Sequence, residues 1–171
     1  MTNNLGDASR NPSATISGGV FSADPRISGL YASHLISIAD GYKVVEDEDN
    51  GRWAVVVDPA AKIGDVEYDT LQEAFNVGGE ITLLRNVTLS ETITLEGKTA
   101  TLDLNGKTVT AEAVDAFTAN AGAKLTLKNG TVSSHGAIVR AVGGEVVVEN
   151  GTYTQTGTAV GSTPATYRYC I

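Results

Sequence analysis

The chain has 171 residues, of which 12 are basic and 20 are acidic, and its formal net charge is −8. This charge argues against nucleic-acid binding, which needs a basic surface to contact phosphates, and against attachment to anionic lipid. No apolar run approaches the length of a membrane span, and Cys170 is the one cysteine, so an internal disulfide is excluded. We therefore expect no membrane insertion and no nucleic-acid partner.

Residues 1–22 are predicted to hold the remnant of a coil that belongs to a preceding repetitive unit. Residues 15–22 read TISGGVFS, which aligns position by position with TLKNGTVS at 126–133 and with VVENGTYT at 147–154. Residues 1–11 are polar and lack the basic start and apolar centre of a signal peptide. If the parent protein is exported, we expect its signal to lie outside this chain.

A connector over residues 23–58 is predicted to contain a β-hairpin. Two β-rich runs at 42–45 (YKVV) and 53–57 (WAVVV) flank an acidic segment that ends in Asn50-Gly51, the dipeptide typical of hairpin turns. The acidic residues 46–49 resemble a calcium loop, but Arg52-Trp53 follow where such a loop needs oxygen ligands. We interpret this segment as a solvated hairpin tip.

Residues 59–80 are predicted to form a helical cap. Thr70 and Glu73 have the spacing of a capping box, and Leu71, Ala74 and Phe75 would share one face of the helix that follows. Gly78-Gly79 would end this helix. A short amphipathic helix at this place would cover the first coil of a repetitive β structure.

Residues 81–160 contain a repeat that predicts stacked coils. Four apolar segments begin at Ile81, Leu102, Leu125 and Val146, in steps of 21, 23 and 21 residues. Alternating apolar residues predict strands with one buried face, and repeats of this length with two or three short strands are typical of a parallel β-helix. A leucine-rich repeat has a similar period, but its helical side is absent here.

The repeat predicts two buried columns of side chains. One column would contain Ile81, Leu102, Leu125 and Val146, and the other would contain Leu83, Leu104, Leu127 and Val148. The Asn-Gly at 105–106 falls one residue earlier than those at 129–130 and 150–151, which we interpret as a turn variant. Residues 161–171 break the pattern, and they form either a C-terminal cap or a truncated tail.

The stretches ISGGVFSADP, ADGYKVVEDEDNGRWAVV, AKIGDVEYDTLQEAF, ITLLRNVTL and LDLNGKTVT occur in an order that resembles a known family. The chain is similar over residues 15–154 to the tandem units of large surface proteins from gut Gram-positive bacteria, which have a pectin-lyase-like fold. The resemblance implies an all-β chain with a short right-handed parallel β-helix of about four coils, a small N-terminal capping helix and a β-hairpin connector. It implies no catalytic residues.

The coils show no cluster of residues that would serve catalysis, so we expect no enzyme activity, no catalytic residues and no cofactor. The acidic residues are scattered at Glu91, Glu96, Asp103, Glu112, Asp115, Glu145 and Glu149. Asp103 lies between inward Leu102 and Leu104 and should point outward, and one coil later its place is taken by Thr126. Polysaccharide lyases and hydrolases of this shape need carboxylates close together.

Other residues that could carry chemistry have structural interpretations. His34 and His135 are far apart and have no neighbour with metal-ligand spacing, so we expect no metal site. The sequons at Asn86, Asn129 and Asn150 fit turn geometry, and the last two could stack as an amide ladder. Trp53, Tyr42 and Tyr31 lie in the connector, where Trp53 is interpreted as a packing residue. The ligand-binding residues stay unknown.

The leading functional hypothesis is a non-enzymatic structural and interaction module, a rigid spacer or adhesive unit of an exported bacterial surface protein. Its expected partners are host or cell-wall glycans or proteins, with self-association through the coil ends, and its expected location is the cell surface or the extracellular space. The alternative is a carbohydrate-recognising or polysaccharide-active β-helix, such as a fragment of a phage fibre or tailspike, whose site forms between chains.

Overall fold

The structure is a computed structural model that describes residues 14–26 and 36–157. The chain divides into two compact units, with the boundary between Asp58 and Pro59. Predictions for residues 1–13, Tyr31, His34, the tail 161–171 and Cys170 lie outside the described residues. Each unit is described by itself below.

The first unit has five described strands. They are β1 (Ala14–Ile16), β2 (Gly19–Phe21), β3 (Ile36–Ile38), β4 (Tyr42–Asp47) and β5 (Arg52–Val57). Strands β4 and β5 pair antiparallel, and β2 adds to the other side of β5. The predicted hairpin is therefore confirmed, with Asn50 Nδ2 donating to Asp47 Oδ2 at 2.7 Å inside its turn.

Strands β1 and β3 pair in parallel, in contrast to the antiparallel hairpin. Ala14 is the register partner of Ile36 and Ile16 is the partner of Ile38, so the chain returns after 22 residues. The hydroxyls of Thr15 and Ser37 lie 3.2 Å apart across this pair. A return of this length is the step of one solenoid coil, and it fits the interpretation of this region as a coil.

The second unit begins with a hairpin and a helix. The hairpin consists of β6 (Ala61–Ile63) and β7 (Val66–Tyr68), and helix α1 follows (Leu71–Val77). The capping box is confirmed, because Thr70 Oγ1 accepts from the Glu73 N–H at 3.2 Å and Glu73 Oε2 accepts from the Thr70 N–H at 3.0 Å. The helix ends at Gly78, whose φ of 79° is one that L side chains rarely adopt.

Eleven strands then wind into stacked coils. They are β8 (Gly79–Leu83), β9 (Val87–Leu89), β10 (Ile93–Leu95), β11 (Thr99–Asp103), β12 (Thr108–Ala111), β13 (Phe117–Asn120), β14 (Lys124–Lys128), β15 (Gly130–Ser134), β16 (Val139–Val142), β17 (Glu145–Val148) and β18 (Gly151–Gln155). Every third strand pairs in parallel, which produces three sheets around one core. The predicted parallel β-helix is confirmed as a β-solenoid with an N-terminal helix.

The first sheet has more levels than the sequence predicts. Its order is β17-β14-β11-β8-β6-β7, so it has six strands where about four coils were expected. The difference arises because hairpin β6–β7 pairs antiparallel with β8 and extends the sheet toward the chain's start. The second sheet is β18-β15-β12-β9 and the third is β10-β13-β16.

The predicted side-chain columns are correct at two of their three steps. Ile81 pairs with Leu102, and Leu125 and Leu127 pair with Val146 and Val148. Between β11 and β14, however, Leu102 pairs with Leu127 rather than with Leu125. The prediction for this step was wrong by two residues, because all three connections of this coil, including the turn after β11, are longer than those of the next coil.

Leu104 shows how this longer turn is accommodated. It is fully buried, but it follows β11 instead of standing in the predicted column, and its N–H donates to the Lys128 carbonyl at 2.8 Å. A Cβ added at Gly130 would meet the side chain of Leu104 and would lie 2.6 Å from the Lys107 carbonyl oxygen. Glycine at position 130 therefore leaves room for Leu104, which belongs to the preceding coil.

Two stacked rings close the core of the second unit beside its first coil. Phe75 of α1 and Phe117 of β13 have centroids 5.7 Å apart and planes inclined by 15°, and both side chains are almost fully buried. Leu71 and Ala74 lie on the same buried face of the helix, as predicted. Helix α1 thus closes the core beside the third sheet.

Candidate functional site

Hydroxyl-bearing side chains occupy the outward positions of the second sheet. Along β12, Thr108 and Thr110 alternate with buried Val109 and Ala111, so the threonines point away from the core. The parallel register repeats this arrangement on neighbouring strands. One row contains Thr108, Thr131 and Thr152, and a second contains Thr88, Thr110, Ser133 and Thr154. These seven residues are called the threonine face below.

Strand geometry makes the threonine face regular. Neighbouring strands of a sheet lie about 4.8 Å apart, and alternate residues of one strand are about 6.7 Å apart. Each position offers one hydroxyl donor and acceptor, and each threonine adds a methyl group. Since none of the seven is charged, the face can bind through hydrogen bonds and van der Waals contacts. Hydroxyls without an adjacent base make poor nucleophiles, so the face is suited to binding.

The start of the first row is held by Asn86. Its Oδ1 accepts from the Thr108 N–H at 2.9 Å, so the side chain takes the place of a strand partner at this edge. Asn129, in the second sequon, donates from Nδ2 to Asp103 Oδ2 at 2.9 Å. Its backbone N–H donates to the Asn150 carbonyl at 2.7 Å, so the coils are connected here through the backbone.

A groove lies beside α1, where the helix packs against the third sheet. Its volume is about 430 Å³, and its walls are Gln72, Phe75, Asn76, Thr94, Glu96 and Lys98. Gln72 Oε1 accepts from the Thr94 N–H at 2.8 Å, and Gln72 Nε2 donates to the Thr94 carbonyl at 2.9 Å. The amide therefore hydrogen-bonds to the edge of β10 as another strand would.

The charged walls of the groove also have partners. Lys98 Nζ donates to the Asn76 carbonyl, and Glu96 Oε1 accepts from Asn120 Nδ2 at 3.2 Å. These contacts join α1 and two coils of the third sheet. The groove is therefore explained as a packing seam between helix and sheet.

Four of the seven carboxylates considered for catalysis are held by nitrogen donors, and Glu96 and Asp103 are two of them. Asp115 accepts from the Ala137 N–H at 2.7 Å and pairs with the Arg140 guanidinium. Glu145 pairs with Lys124 at 2.7 Å. Glu91, Glu112 and Glu149 are exposed. No group of three or more His, Cys, Asp or Glu side chains suited to a metal occurs within residues 14–26 and 36–157.

Asp103 points outward as predicted, but its neighbour differs from the prediction. The register places Lys128 beside it one coil later, not Thr126, because this coil has longer connections than the coil that follows. Asp103 Oδ1 accepts from the Asn105 N–H at 2.8 Å, and Oδ2 accepts from Asn129. Its contacts thus tie the turns of two coils together.

The described aromatic and histidine candidates, Trp53 and His135, belong to different units. Trp53 is half-buried, with the Arg26 guanidinium carbon 5.7 Å from its ring centroid. Arg26 also donates to Asp24, and these hydrogen bonds lower the pKa of Asp24 and raise that of Arg26. His135 is exposed after β15. Trp53 thus contacts Arg26 within the first unit, and its role as a packing residue stays a prediction.

Tyr153 is the polar residue that stands out at the chain's last described coil. Its hydroxyl oxygen is buried and has no hydrogen-bond partner among the described residues. Burial raises the pKa of this phenol, and the negative charge of Glu149 raises it further. The buried hydroxyl favours the neutral form of the side chain.

Sequence reasoning missed the threonine face, although a signal for it exists. The second strand of each coil reads TVT at 108–110, TVS at 131–133 and TYT at 152–154. Aligning these strands, instead of the first strands alone, would have shown both rows. The pairing of Gln72 with Thr94 has no comparable signal, because it joins residues 22 positions apart in different elements.

The comparisons with known proteins found no match: no family model, curated protein or solved structure matches this chain. No helix in the described part is long and apolar enough to cross a membrane.

Proposed function

We propose that this chain is a non-enzymatic structural and interaction module, a rigid spacer or adhesive unit of an exported bacterial surface protein. The threonine face is the observation that carries the proposal. A neutral array of hydroxyls on a continuous ladder provides a contact surface without groups for acid–base or nucleophilic chemistry. The pairing of Asp103, Asp115 and Glu145 with nitrogen donors supports the same conclusion.

The proposal extends to the kind of parent protein. The quoted segments resemble tandem pectin-lyase-like units of large surface proteins from gut Gram-positive bacteria, and such units would act at the cell surface. A stack of parallel strands is a suitable spacer because each coil pairs with its neighbours along the axis. The proposed partners are host or cell-wall glycans or proteins.

Carbohydrate recognition is the second candidate function, and the threonine face favours it as well. Rows of hydroxyls can exchange hydrogen bonds with the hydroxyls of a glycan, and the threonine methyls can contact its apolar faces. Glycan binding separates a spacer from a binding module. A unit that is only a spacer binds no glycan by itself, whereas an adhesive unit for glycans or a recognition module binds one class of glycan saturably through this face.

A glycan array and a panel of polysaccharides incubated with the purified chain test both candidates. The spacer predicts neither binding nor release of oligosaccharides. If a glycan binds, Thr131→Val should weaken it, because valine keeps the shape and loses the hydroxyl. Thr118→Val is the matched control, since Thr118 points outward from β13 in the third sheet. Cleavage of any polysaccharide would refute the non-enzymatic proposal.

A further inference from the structure

The last described coil leaves one edge of two sheets without a strand. Strands β17 and β18 pair with β14 and β15 on one side, and within residues 36–157 no strand pairs on their other side. The apolar columns also end here. Leu125, Leu127 and Val132 are fully buried, whereas their register partners Val146, Val148 and Tyr153 are half-buried. An edge of this kind is a template for pairing with another strand.

The first unit contains a segment with the same local structure as this coil. Strands β1 and β2 are separated by two residues, as are β17 and β18, and the second strand starts at a glycine in both cases. An aromatic residue follows two positions later and its ring lies over that glycine. A Cβ at Gly19 would be 3.3 Å from the Phe21 ring, and a Cβ at Gly151 would be 2.9 Å from the Tyr153 ring.

In each segment, backbone hydrogen bonds show which residues of the strand face its paired neighbour and which face the other way. Ala39 N–H donates to the Ile16 carbonyl at 2.9 Å, so Ile16 faces the following strand, β3, and Thr15 faces the other way. Glu149 N–H donates to the Leu127 carbonyl at 2.9 Å, so Glu149 faces the preceding strand and Val148 faces away from it. Among the described residues, the segment in the first unit therefore has no strand on its preceding side, and β17–β18 has none on its following side.

We propose that β1–β2 of a second copy of this chain stacks in parallel on β17–β18, so that copies assemble head to tail. The alignment of TISGGVFS with VVENGTYT sets the register. Ile16 of the second copy covers Val148, and Phe21 covers Tyr153. The Ile16–Ile38 pair then continues the column that Leu102, Leu127 and Val148 begin.

The chemistry of the two surfaces is compatible with this stack. Residues 14–23 (ATISGGVFSA) carry no charge, so Glu149 meets Ser17 and no like charges are opposed. Residues 161–171 (GSTPATYRYCI), the competing occupant, lack the glycine and aromatic spacing of the repeat. Pairing between different surfaces of two copies is heterologous, and it produces open chains unless the rotation closes a ring.

Sedimentation velocity over a wide range of concentrations tests the proposal on the full chain. We expect wild type to form a concentration-dependent series of oligomers. Thr15→Pro removes an N–H that points away from β3, and Val148→Pro removes an N–H that points away from β14. Each substitution should therefore weaken self-association by about tenfold or more. Thr15→Ala and Val148→Ala keep the N–H and serve as matched controls, and thermal unfolding followed by circular dichroism confirms that each variant folds.

Mixing the two proline variants gives the sharpest outcome. Thr15→Pro retains an intact β17–β18 edge and Val148→Pro retains an intact β1–β2 edge, so an equimolar mixture should form dimers while each alone stays monomeric. A mixture that stays monomeric would overturn the head-to-tail arrangement. A wild-type chain that is monomeric at every concentration would overturn it too, and would indicate that the chain's own residues after 157 cover the edge.

The register is tested by disulfide trapping in a Cys170→Ser background. Thr15→Cys on one copy and Val147→Cys on another should cross-link, because paired Cα atoms about 4.8 Å apart are within disulfide range. Thr15→Cys with Thr154→Cys should not cross-link, and equal cross-linking of both pairs would refute the register.

This inference rests on the proposed structural role, because stacked units lengthen a spacer. Its experiments measure association and no ligand, so the two proposals can fail separately.

Discussion

In the second unit, the first coil and the last described coil of the solenoid are covered to very different degrees. At the first coil, hairpin β6–β7 extends the first sheet, Gln72 hydrogen-bonds to the edge of the third, and Phe75 covers the core, so Ile81 and Leu83 are almost fully buried. At the last described coil, Val146 and Val148 of the same sheet are half-buried. Apolar side chains of the first sheet are thus covered from solvent in the first coil and only partly covered in the last described coil.

This difference shows what a solenoid end requires. Interior coils receive hydrogen bonds and apolar cover from both neighbours, and an end coil receives them from one. At the first coil a helix and a hairpin supply the missing half from residues nearby in sequence. At the last described coil, the register and free edge of β17–β18 fit a further coil of the same kind. The predictions below test this asymmetry.

The largest expected effect is at the helix cap. Phe75→Ala removes a buried ring stacked on Phe117 and opens a cavity, so we expect the free energy of unfolding to fall by about 3–5 kcal/mol. Tyr153→Ala at the other end should cost less, about 1–2 kcal/mol, because its side chain is only half-buried. Urea unfolding measures both, and equal losses would contradict the asymmetry.

A smaller effect is expected for the amide that hydrogen-bonds to β10. Gln72→Ala leaves the Thr94 N–H and carbonyl without their partner, which should cost about 1–3 kcal/mol in urea unfolding. Amide hydrogen exchange should become faster at Thr94. Gln72→Glu is the matched variant, since its carboxylate still accepts from the N–H but does not donate to the carbonyl, so the loss should be partial. Unchanged exchange at Thr94 would argue against this hydrogen bond.

A change near zero or slightly favourable is expected for Tyr153→Phe. The hydroxyl is buried without a partner, so its removal should alter the free energy of unfolding by no more than about 1 kcal/mol, with stabilisation as the expected sign. Tyr68→Phe is a control in β7, the last strand of the first sheet, beside the helix cap. A clear loss of stability in Tyr153→Phe would show that the hydroxyl has a partner in solution.

The smallest expected effect is a change in the free energy of unfolding at alkaline pH. The Tyr153 pKa is raised in the folded chain from 10.0, so the unfolded form releases its proton first. The contribution of this residue to stability is complete below about pH 10 and is lost as the pH rises through the folded pKa. Wild type should therefore lose stability relative to Tyr153→Phe in alkaline urea titrations, and Glu149→Gln should reduce the difference. Parallel pH profiles would contradict burial of the phenol.

Local sequence signals were sufficient where neighbouring residues decide the structure. Thr70 and Glu73 specified the start of α1, because both capping hydrogen bonds join residues three apart. Asn50-Gly51 specified the β4–β5 hairpin in the same way. The alignment of 126–133 with 147–154 predicted the pairing of the last two described coils residue by residue, since their turns have nearly the same length.

The candidate functional site could be predicted only in part from the sequence. The outward position of Asp103 followed from strand alternation, whereas its neighbour Lys128 depended on the register. The threonine face needed the second strands of the coils to be aligned. Domain boundaries, the absence of enzyme activity and the location at a cell surface stay predictions.

The sequence alone determined the period, the buried face of each strand and the helix cap, because these depend on alternation and spacing along a few residues. Only the tertiary structure decided that Leu102 stacks on Leu127, that β6–β7 extends the first sheet and that Gln72 completes the edge of β10. The physical reason is common to all three. Each contact joins residues 18 to 25 positions apart, and the length and path of the chain between them decide which residues meet without changing the strand pattern.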